Sequence, residues 1–401
     1  MADVSTRPLL AIYVVWHPQF GPGETVAGTL HEHYRRNLFT NVAGGAGLSV
    51  INRSAPAPGG AVPLPVDVRE AATTAIVALL DENVKKDQEW IGYLEDFAER
   101  TEQAGLTARL FPVAMDSTAY DIGGKVGGIN FIRWNNWFGD PVADRHRKLV
   151  FQLTYQFARM LRSYLAHLEH PEKATENELE EFIKPVRVFL SHSKHDNNEG
   201  KVKYGEEIAK AIRTSISADT DLESFFDVLN IPPGLPFAEV LRLYVRISAV
   251  VAIHTDSYSS REWCRREILE AKRHNVPLVV ANCMIDFEER GFPYMGNVPV
   301  VRMEHDATHR IGVVIARLLD EVMKDYLWRC RAKLANAGKD VTFLPRPPEL
   351  ISLSELARNR QDQGTIVYPD PPLGVEEAEL FAALGKGFQL LSYTQWLAGQ
   401  A

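Results

Sequence analysis

Residues 259–267 read Ser-Ser-Arg-Glu-Trp-Cys-Arg-Arg-Glu, and this stretch decides the fold. It follows an apolar run, residues 249–253, that has the length and β-branched content of a buried strand, and it leads into a helical apolar pattern. Within that helix Trp263 and Glu267 are four residues apart and share one face. Ligands bind at the carboxyl ends of the strands in an open parallel sheet. The stretch therefore predicts a binding site where a buried strand meets a helix.

Bulk composition limits the classes of function. The chain has 401 residues, enough for two or three domains, and its formal net charge of -8 argues against a nucleic-acid partner. Its three cysteines fit no metal or disulfide pattern and are predicted to be buried thiols. No apolar run approaches the roughly 20 residues that cross a bilayer, and the first residues do not resemble a signal peptide. We therefore expect a cytoplasmic protein without a membrane partner.

A second motif lies upstream, where residues 186–193 read VRVFLSHS. Together with Ser-x-x-Trp-Cys-x-x-Glu after a buried strand, it resembles the TIR (Toll/interleukin-1 receptor) domain over roughly residues 184–328. The resemblance is specific because several elements occur in the family's order. It implies a flavodoxin-like fold and, for many members, cleavage of the bond between nicotinamide and ribose in NAD.

The resemblance also assigns residues. The family's catalytic glutamate falls on Glu267, NAD would be the substrate, and no cofactor or metal is implied. A glutamate is ionised at neutral pH and stabilises the oxocarbenium ion that forms on the ribose. Small and polar residues after the first strand can contact phosphate or ribose oxygens. The substrate-binding candidates are Ser191, His192, Lys194, Asp227 and Trp263.

Residues 1–180 are predicted to be a second, divergent copy of the same fold. Residues 75–80 followed by Trp90 match residues 248–253 followed by Trp263, at a constant offset of 173 (263 − 90). Residues 129–133 likewise parallel residues 298–302. The predicted fold class is thus α/β, with two tandem flavodoxin-like (TIR-like), doubly wound parallel sheets.

The first copy differs at the site. Leu94 stands at the position that matches Glu267, and Glu95 is turned about 100° around the helix. We interpret this copy as having kept the packing and lost the chemistry. The alternative is a separate binding surface, which would comprise Trp16, His17, Trp134 and Trp137.

The last segment does not repeat a whole domain. It has predicted strands at residues 341–344 and 365–368 and a helix at residues 376–384, which indicates a small αβ appendage. The predicted domains are therefore 1–180 (divergent TIR-like, non-catalytic), 181–330 (TIR) and 331–401 (appendage).

Three functions compete. The leading hypothesis is a bacterial-type TIR enzyme that converts NAD into nicotinamide and ADP-ribose or a cyclic ADP-ribose. The resemblance implies that this enzyme acts in antiviral or stress defence. It also implies that the enzyme is activated when it forms a homo-oligomer through TIR–TIR contacts. The alternative is a non-enzymatic TIR scaffold that recruits partners. A third possibility is a pair of domains that binds a nucleotide second messenger without cleaving it.

Overall fold

The computed structural model describes residues 7–36, 47–171, 178–196, 204–219, 222–225, 236–288, 291–303, 310–335, 341–358, 364–384 and 387–399. The chain divides into two compact units. Unit 1 comprises Met1–Phe182 with Arg329–Ala337, and unit 2 comprises Ile183–Trp328 with Gly338–Ala401. Both units are α/β, and their strands pair in parallel.

Unit 1 has a four-stranded parallel sheet with the strand order β2-β1-β3-β4. Its strands are β1 (Leu10–Trp16), β2 (Ser49–Arg53), β3 (Thr73–Leu80) and β4 (Ala108–Ala114). Ile132 adds a parallel bridge to Val113, at the place where the repeat predicts a fifth strand. The α-helices that accompany the sheet are α1 (Gly23–His31), α2 (Glu82–Lys86), α3 (Gln88–Ala104), α4 (Gly124–Gly127) and α5 (Val142–Glu169). Short π or 3-10 turns occupy Glu32–Arg36, Gly105–Thr107, Ser117–Asp121 and Trp134–Trp137.

Burial explains why these segments form strands and helices. β1 and β3 are buried along their whole length, as continuous apolar strands of a sheet covered on both faces are. Helix α3 begins after Asp87, whose carboxylate accepts hydrogen bonds from the amides of Glu89 and Trp90. Its inner face places Trp90, Leu94 and other apolar side chains in the core against the sheet.

Unit 2 repeats this architecture with five strands in the order β6-β5-β7-β8-β9. Its strands are β5 (Arg187–His192), β6 (Glu223–Phe225), β7 (Ala249–His254), β8 (Leu278–Asn282) and β9 (Val300–Arg302). Its helices are α7 (Tyr204–Asp219), α8 (Phe237–Arg246) and α9 (Glu262–Arg273), with 3-10 turns at Tyr258–Ser260 and Pro293–Met295. Two further helices, α6 (Glu178–Ile183) and α10 (Ile311–Ala335), cross the chain boundaries between the units. This order is that of a flavodoxin-like, doubly wound sheet. The predicted α/β fold class is confirmed.

A second, smaller sheet also belongs to unit 2. It contains three parallel strands, β10 (Val341–Phe343), β11 (Gly364–Tyr368) and β12 (Phe388–Ser392), in sequence order. The helices beside it are α11 (Leu350–Arg358), α12 (Val375–Leu384) and α13 (Tyr393–Ala398). The predicted strands near 341 and 365 and the predicted helix near 376 are confirmed. Strand β12 was not predicted, because it is one short and only partly buried run.

The segment that contains this small sheet contacts the carboxyl-terminal end of α9. The Lys272 ammonium lies 2.6 Å from the Glu349 carboxylate and 2.9 Å from the Gly296 carbonyl oxygen. The Arg346 guanidinium donates hydrogen bonds to the carbonyl oxygens of Asn275 and Val276, at 2.7 and 2.9 Å. These contacts fix the end of the helix whose beginning carries Trp263 and Glu267.

The Lys272–Glu349 pair yields a prediction. The Lys272 side chain is 6% exposed, and burial, partly offset by Glu349, lowers its pKa. We expect Lys272→Met to lower the free energy of unfolding of unit 2 by roughly 3 kcal/mol, because it leaves a half-buried carboxylate without its cation. Differential scanning calorimetry measures the loss. The double variant Lys272→Met/Glu349→Leu should recover most of it, and an equal loss in both variants would contradict this account.

Candidate functional site

The site lies where strand β5 of unit 2 ends. The Ser191 hydroxyl donates a hydrogen bond to the Glu267 carboxylate, with an oxygen–oxygen distance of 2.5 Å. Glu267 is on the second turn of α9 and is 6% exposed, and Ser191 is almost fully buried. A buried carboxylate needs such donors because its loss of hydration is costly. Glu267 therefore lies at the carboxyl end of the sheet, held by a residue of the first strand.

Tyr258 extends this contact. Its phenol oxygen lies 2.5 Å from the Ser191 hydroxyl oxygen, and its ring is completely buried. Burial, with smaller contributions from Cys264 and Glu267, raises the pKa of Tyr258 well above its usual value, so the phenol stays protonated. Because the single proton of Ser191 goes to Glu267, Tyr258 donates to Ser191. The hydrogen bonds thus run from Tyr258 through Ser191 to Glu267.

His192 and Cys264 lie beside this chain of hydrogen bonds. The His192 ring nitrogen Nδ1 is 3.2 Å from the Leu190 carbonyl oxygen, and the ring is buried. The Cys264 thiol is buried and contacts the His192 carbonyl oxygen at 3.5 Å. Cys264 therefore packs inward behind the loop, in agreement with the prediction that the cysteines are buried thiols.

Asp196 joins the loops that follow β5 and β7. One of its carboxylate oxygens accepts hydrogen bonds from Thr255 at 2.5 Å and from Ser257 at 3.1 Å, and the other accepts one from the Gly205 amide at 2.8 Å. The Arg261 guanidinium also donates to the His195 carbonyl oxygen at 2.7 Å. These contacts set the shape of the loops around Glu267.

The other predicted binding residues differ in exposure and in their distance along the chain from Glu267. Trp263 is 43% exposed, one turn before Glu267 on α9, and the Arg266 guanidinium lies 5.0 Å from its ring centroid. Lys194 is exposed on the loop after β5. Asp227 lies outside the described residues. The structure thus brings Ser191 and Glu267 into direct contact and places His192, Lys194 and Trp263 on the two adjoining segments.

Unit 1 carries different side chains at the matching positions. Trp16 pairs with Leu79 in the first sheet as Ser191 pairs with Ala252 in the second, and 252 − 79 gives the same offset of 173. Trp16 therefore replaces Ser191, Leu94 replaces Glu267, and by the same offset Lys85 replaces Tyr258. All three members of the hydrogen-bonded chain are changed together.

Glu95, the neighbouring acid in unit 1, has a structural contact. Its carboxylate accepts hydrogen bonds from the amides of Lys125 and Val126, at 2.9 and 3.0 Å, and so caps helix α4. Gly124 precedes these amides with φ +60°, and a Cβ there would lie 2.3 Å from a Glu95 oxygen. Glu95 is therefore occupied by the backbone of its own unit.

Sequence reasoning missed Tyr258 and Asp196 as parts of the site. Tyr258 immediately precedes the stretch 259–267 and follows the end of β7, so its position at a strand end was the available signal. Asp196 stands at the end of the polar loop after β5, but only the folded chain shows that it accepts hydrogen bonds from two residues near position 256.

Within the described ranges, no group of three or more His, Cys, Asp or Glu side chains is arranged to hold a metal ion. Among the helices of those same ranges, none has the length and apolar content to span a membrane.

Comparisons with known proteins give no family for this chain. No family model and no curated protein matches it. Among solved structures, tagatose-6-phosphate ketose/aldose isomerase from Escherichia coli is 11% identical to this chain, over 79% of this chain and 83% of that chain. The TM-score of that match is 0.18, which is too low to support an argument about fold or function.

The hydrogen bonds to Glu267 yield a prediction on stability. We expect Tyr258→Phe to lower the free energy of unfolding of unit 2 by about 1–2 kcal/mol, because the buried Ser191 oxygen loses its donor. Chemical denaturation monitored by circular dichroism measures the change. Tyr294→Phe is the matched control, since the Tyr294 ring packs on Phe292 at 5.3 Å in the same unit. Equal losses of unfolding free energy in the two variants would contradict a stabilising hydrogen bond from Tyr258 to Ser191.

Proposed function

We propose that unit 2 is a TIR-type enzyme that cleaves the bond between nicotinamide and ribose in NAD, with Glu267 as the catalytic residue. One observation carries the proposal: the Glu267 carboxylate is buried at the carboxyl end of the sheet and is held at 2.5 Å by Ser191 from the first strand. A carboxylate fixed in this way is preorganised to stabilise a positive charge. The motif Ser-x-x-Trp-Cys-x-x-Glu supports the same assignment.

The proposed reaction requires one contribution from the protein, a negative charge near the ribose. Nicotinamide leaves from a cationic ring as a neutral molecule, so the leaving group does not require a proton. Positive charge then develops on the ribose as an oxocarbenium ion, and the ionised Glu267 stabilises it. Capture of that ion by water gives ADP-ribose, and capture by an adenine nitrogen gives a cyclic product.

The surrounding residues take supporting roles in this proposal. The exposed part of the Trp263 ring stacks on a base or on nicotinamide. Ser191 and Tyr258 orient the Glu267 carboxylate through their hydrogen bonds and are positioning residues. The proposal also includes substrate contacts, which rest on the family resemblance alone, by His192, Lys194 and Asp227. A cytoplasmic role in bacterial defence rests on that resemblance too.

The proposal predicts that Glu267→Gln lowers the rate of nicotinamide release from NAD by about 100-fold or more, because the amide is isosteric and uncharged. Chromatography of the products of the full-length protein measures the rate. Glu262→Gln is the matched control: Glu262 is an exposed acid on the same helix, paired with Arg266. It should keep the parental rate.

Nicotinamide release that persists unchanged in Glu267→Gln would reject Glu267 as the catalytic residue. No release from the parental protein, tested also at high protein concentration to favour assembly, would favour a scaffold instead. The same chromatogram separates ADP-ribose from a cyclic product.

The scaffold alternative has one observation in its favour. Apolar side chains are exposed on the loop after β8, where Phe287 is 64% exposed and Ile285 is also exposed. Exposed apolar clusters are characteristic of protein interfaces. In this alternative, unit 2 acts through association with other TIR domains.

We expect Phe287→Ser to shift the chain toward the monomer if this loop mediates self-association, because it removes the most exposed aromatic side chain of the loop. Multi-angle light scattering after size-exclusion chromatography measures the mass. Leu350→Ser, at an exposed leucine on α11, serves as the control. A parental chain that is monomeric at all concentrations would argue against homo-oligomer formation.

A further inference from the structure

Unit 1 contains a cavity of about 620 Å³. Its walls come from the loop after β1 (His17, Gln19), from Ala61 on the Pro/Gly-rich connection, and from the turn that leads into α3 (Asn83 to Trp90). This volume lies within the range of roughly 300–1,000 Å³ that small-molecule sites occupy.

The cavity lies at the place where a doubly wound sheet binds ligands. In the order β2-β1-β3-β4, the chain leaves β1 toward one edge of the sheet and leaves β3 toward the other. The crossover direction reverses between these two strands, and loops that diverge there leave a crevice beyond the strand ends. The segments after β1 and β3 supply nine of the ten lining residues, and Ala61, on the loop after β2, supplies the other.

Two residues that line the cavity correspond to residues of the candidate site in unit 2. His17 follows Trp16 as His192 follows Ser191, and Trp90 corresponds to Trp263 at the offset of 173. Unit 1 therefore has a histidine and a tryptophan at the positions of His192 and Trp263, while Leu94 stands where unit 2 has Glu267.

His17 is fixed in one orientation at the back of the cavity. Its Nδ1 atom accepts a hydrogen bond from the Gln19 amide at 3.2 Å, so the ring proton resides on Nε2. Nε2 lies 3.5 Å from an oxygen of Asp87, and the ring packs against Trp90 with a centroid distance of 5.2 Å. His17 is only 6% exposed, so this arrangement is built into the fold.

The charges in the cavity limit what it can bind. Lys86 is the lysine of the lining, and its ammonium is paired with Glu82 at 2.7 Å. Asp87 and the exposed Glu89 contribute carboxylates. This balance disfavours a polyphosphate, which requires an excess of cations or unpaired backbone donors.

We propose that this cavity binds the nucleoside moiety of a small molecule, recognises its vicinal ribose hydroxyls, and does not cleave it. Carboxylates accept hydrogen bonds from sugar hydroxyls, and Glu89 and Asp87 are in the lining. Asp87 Oδ1 caps α3, so the proposal uses Asp87 Oδ2, which lies beside His17 Nε2 and can accept a second donor.

In this proposal the Gln19 side-chain amide pairs with the edge of a base, and Asn83, whose Nδ2 atom also donates to the Asp81 carboxylate, supplies a second amide. Leu94 stands where unit 2 has its proposed catalytic acid, and the lining carboxylates are assigned to the ribose hydroxyls, so the proposal is binding without cleavage.

Isothermal titration calorimetry of the full-length protein with adenosine tests the proposal. We expect saturable binding that weakens by at least about tenfold with 2′,3′-dideoxyadenosine, which lacks both hydroxyls. Ala61→Trp, which places a large ring at the exposed edge of the cavity, should weaken adenosine binding by a similar factor. Ala55→Trp, on the same loop outside the cavity lining, is the matched control and should bind as the parental protein does.

A second variant guards against misfolding. Asp87→Asn keeps a good helix cap for α3 and removes the charge, so it should preserve the unfolding temperature and weaken adenosine binding. The proposal is overturned by the lack of saturable heat, by equal binding of dideoxyadenosine, or by adenosine binding that Ala61→Trp leaves unchanged. These results are independent of nicotinamide release by unit 2, because adenosine carries no nicotinamide.

Discussion

The candidate site depends on one constraint: a carboxylate that is almost fully buried must be held by hydrogen-bond donors. Glu267 meets this requirement through Ser191, which is itself held by Tyr258. Ser191 is the penultimate residue of the first strand of unit 2, and Tyr258 follows the third strand, in the loop before α9. Their contact therefore connects the ends of two strands to the helix that carries Glu267. The parallel sheet makes this contact possible, because the carboxyl ends of neighbouring parallel strands lie at the same edge of the sheet. The geometry of the acid is thus a property of the fold.

The two units show how one fold keeps or loses such a contact. Replacing Glu267 alone by leucine would leave the buried Ser191 hydroxyl, which accepts from Tyr258, without an acceptor for its own proton, and an unpaired buried donor is costly. In unit 1 the corresponding residues are Trp16, Lys85 and Leu94. Both hydroxyl groups and the carboxylate are therefore absent together, so no hydroxyl at these positions is left without its acceptor. Glu95 is not a substitute, because its carboxylate caps helix α4. That concerted change is what the interpretation of unit 1 as a copy without this chemistry requires, and unit 1 nevertheless contains a cavity beside His17.

Much of the fold follows from the sequence because its determinants are local. Continuous apolar runs mark β1, β3, β5 and β7, and helical apolar spacing marks α3 and α9. The internal repeat predicts that both sheets share one strand order, and Ile132, which the repeat aligns with Val301 of β9, forms the bridge at the fifth position. The contacts within the site are different, because they join residues far apart in the chain. Ser191 and Glu267 are separated by 76 residues, and the position of Tyr258 after β7 does not indicate that its hydroxyl contacts Ser191, 67 residues earlier. Strand β12 was missed for another reason: a short, half-exposed strand has no strong pattern of its own.

The carboxyl-terminal segment, which carries no recognisable chemistry, still has a role in the geometry of the site. Helix α9 holds Glu267 near its beginning, and the segment anchors its end through Glu349 and Arg346. A helix packed only on its sheet retains some freedom to slide and rotate, and a shift of about 1 Å is enough to misplace a catalytic group. Anchors at both ends restrict that freedom: Ser191 near one end and Lys272 with its partners at the other. The small three-stranded sheet is therefore better regarded as a support of the site helix than as an independent appendage.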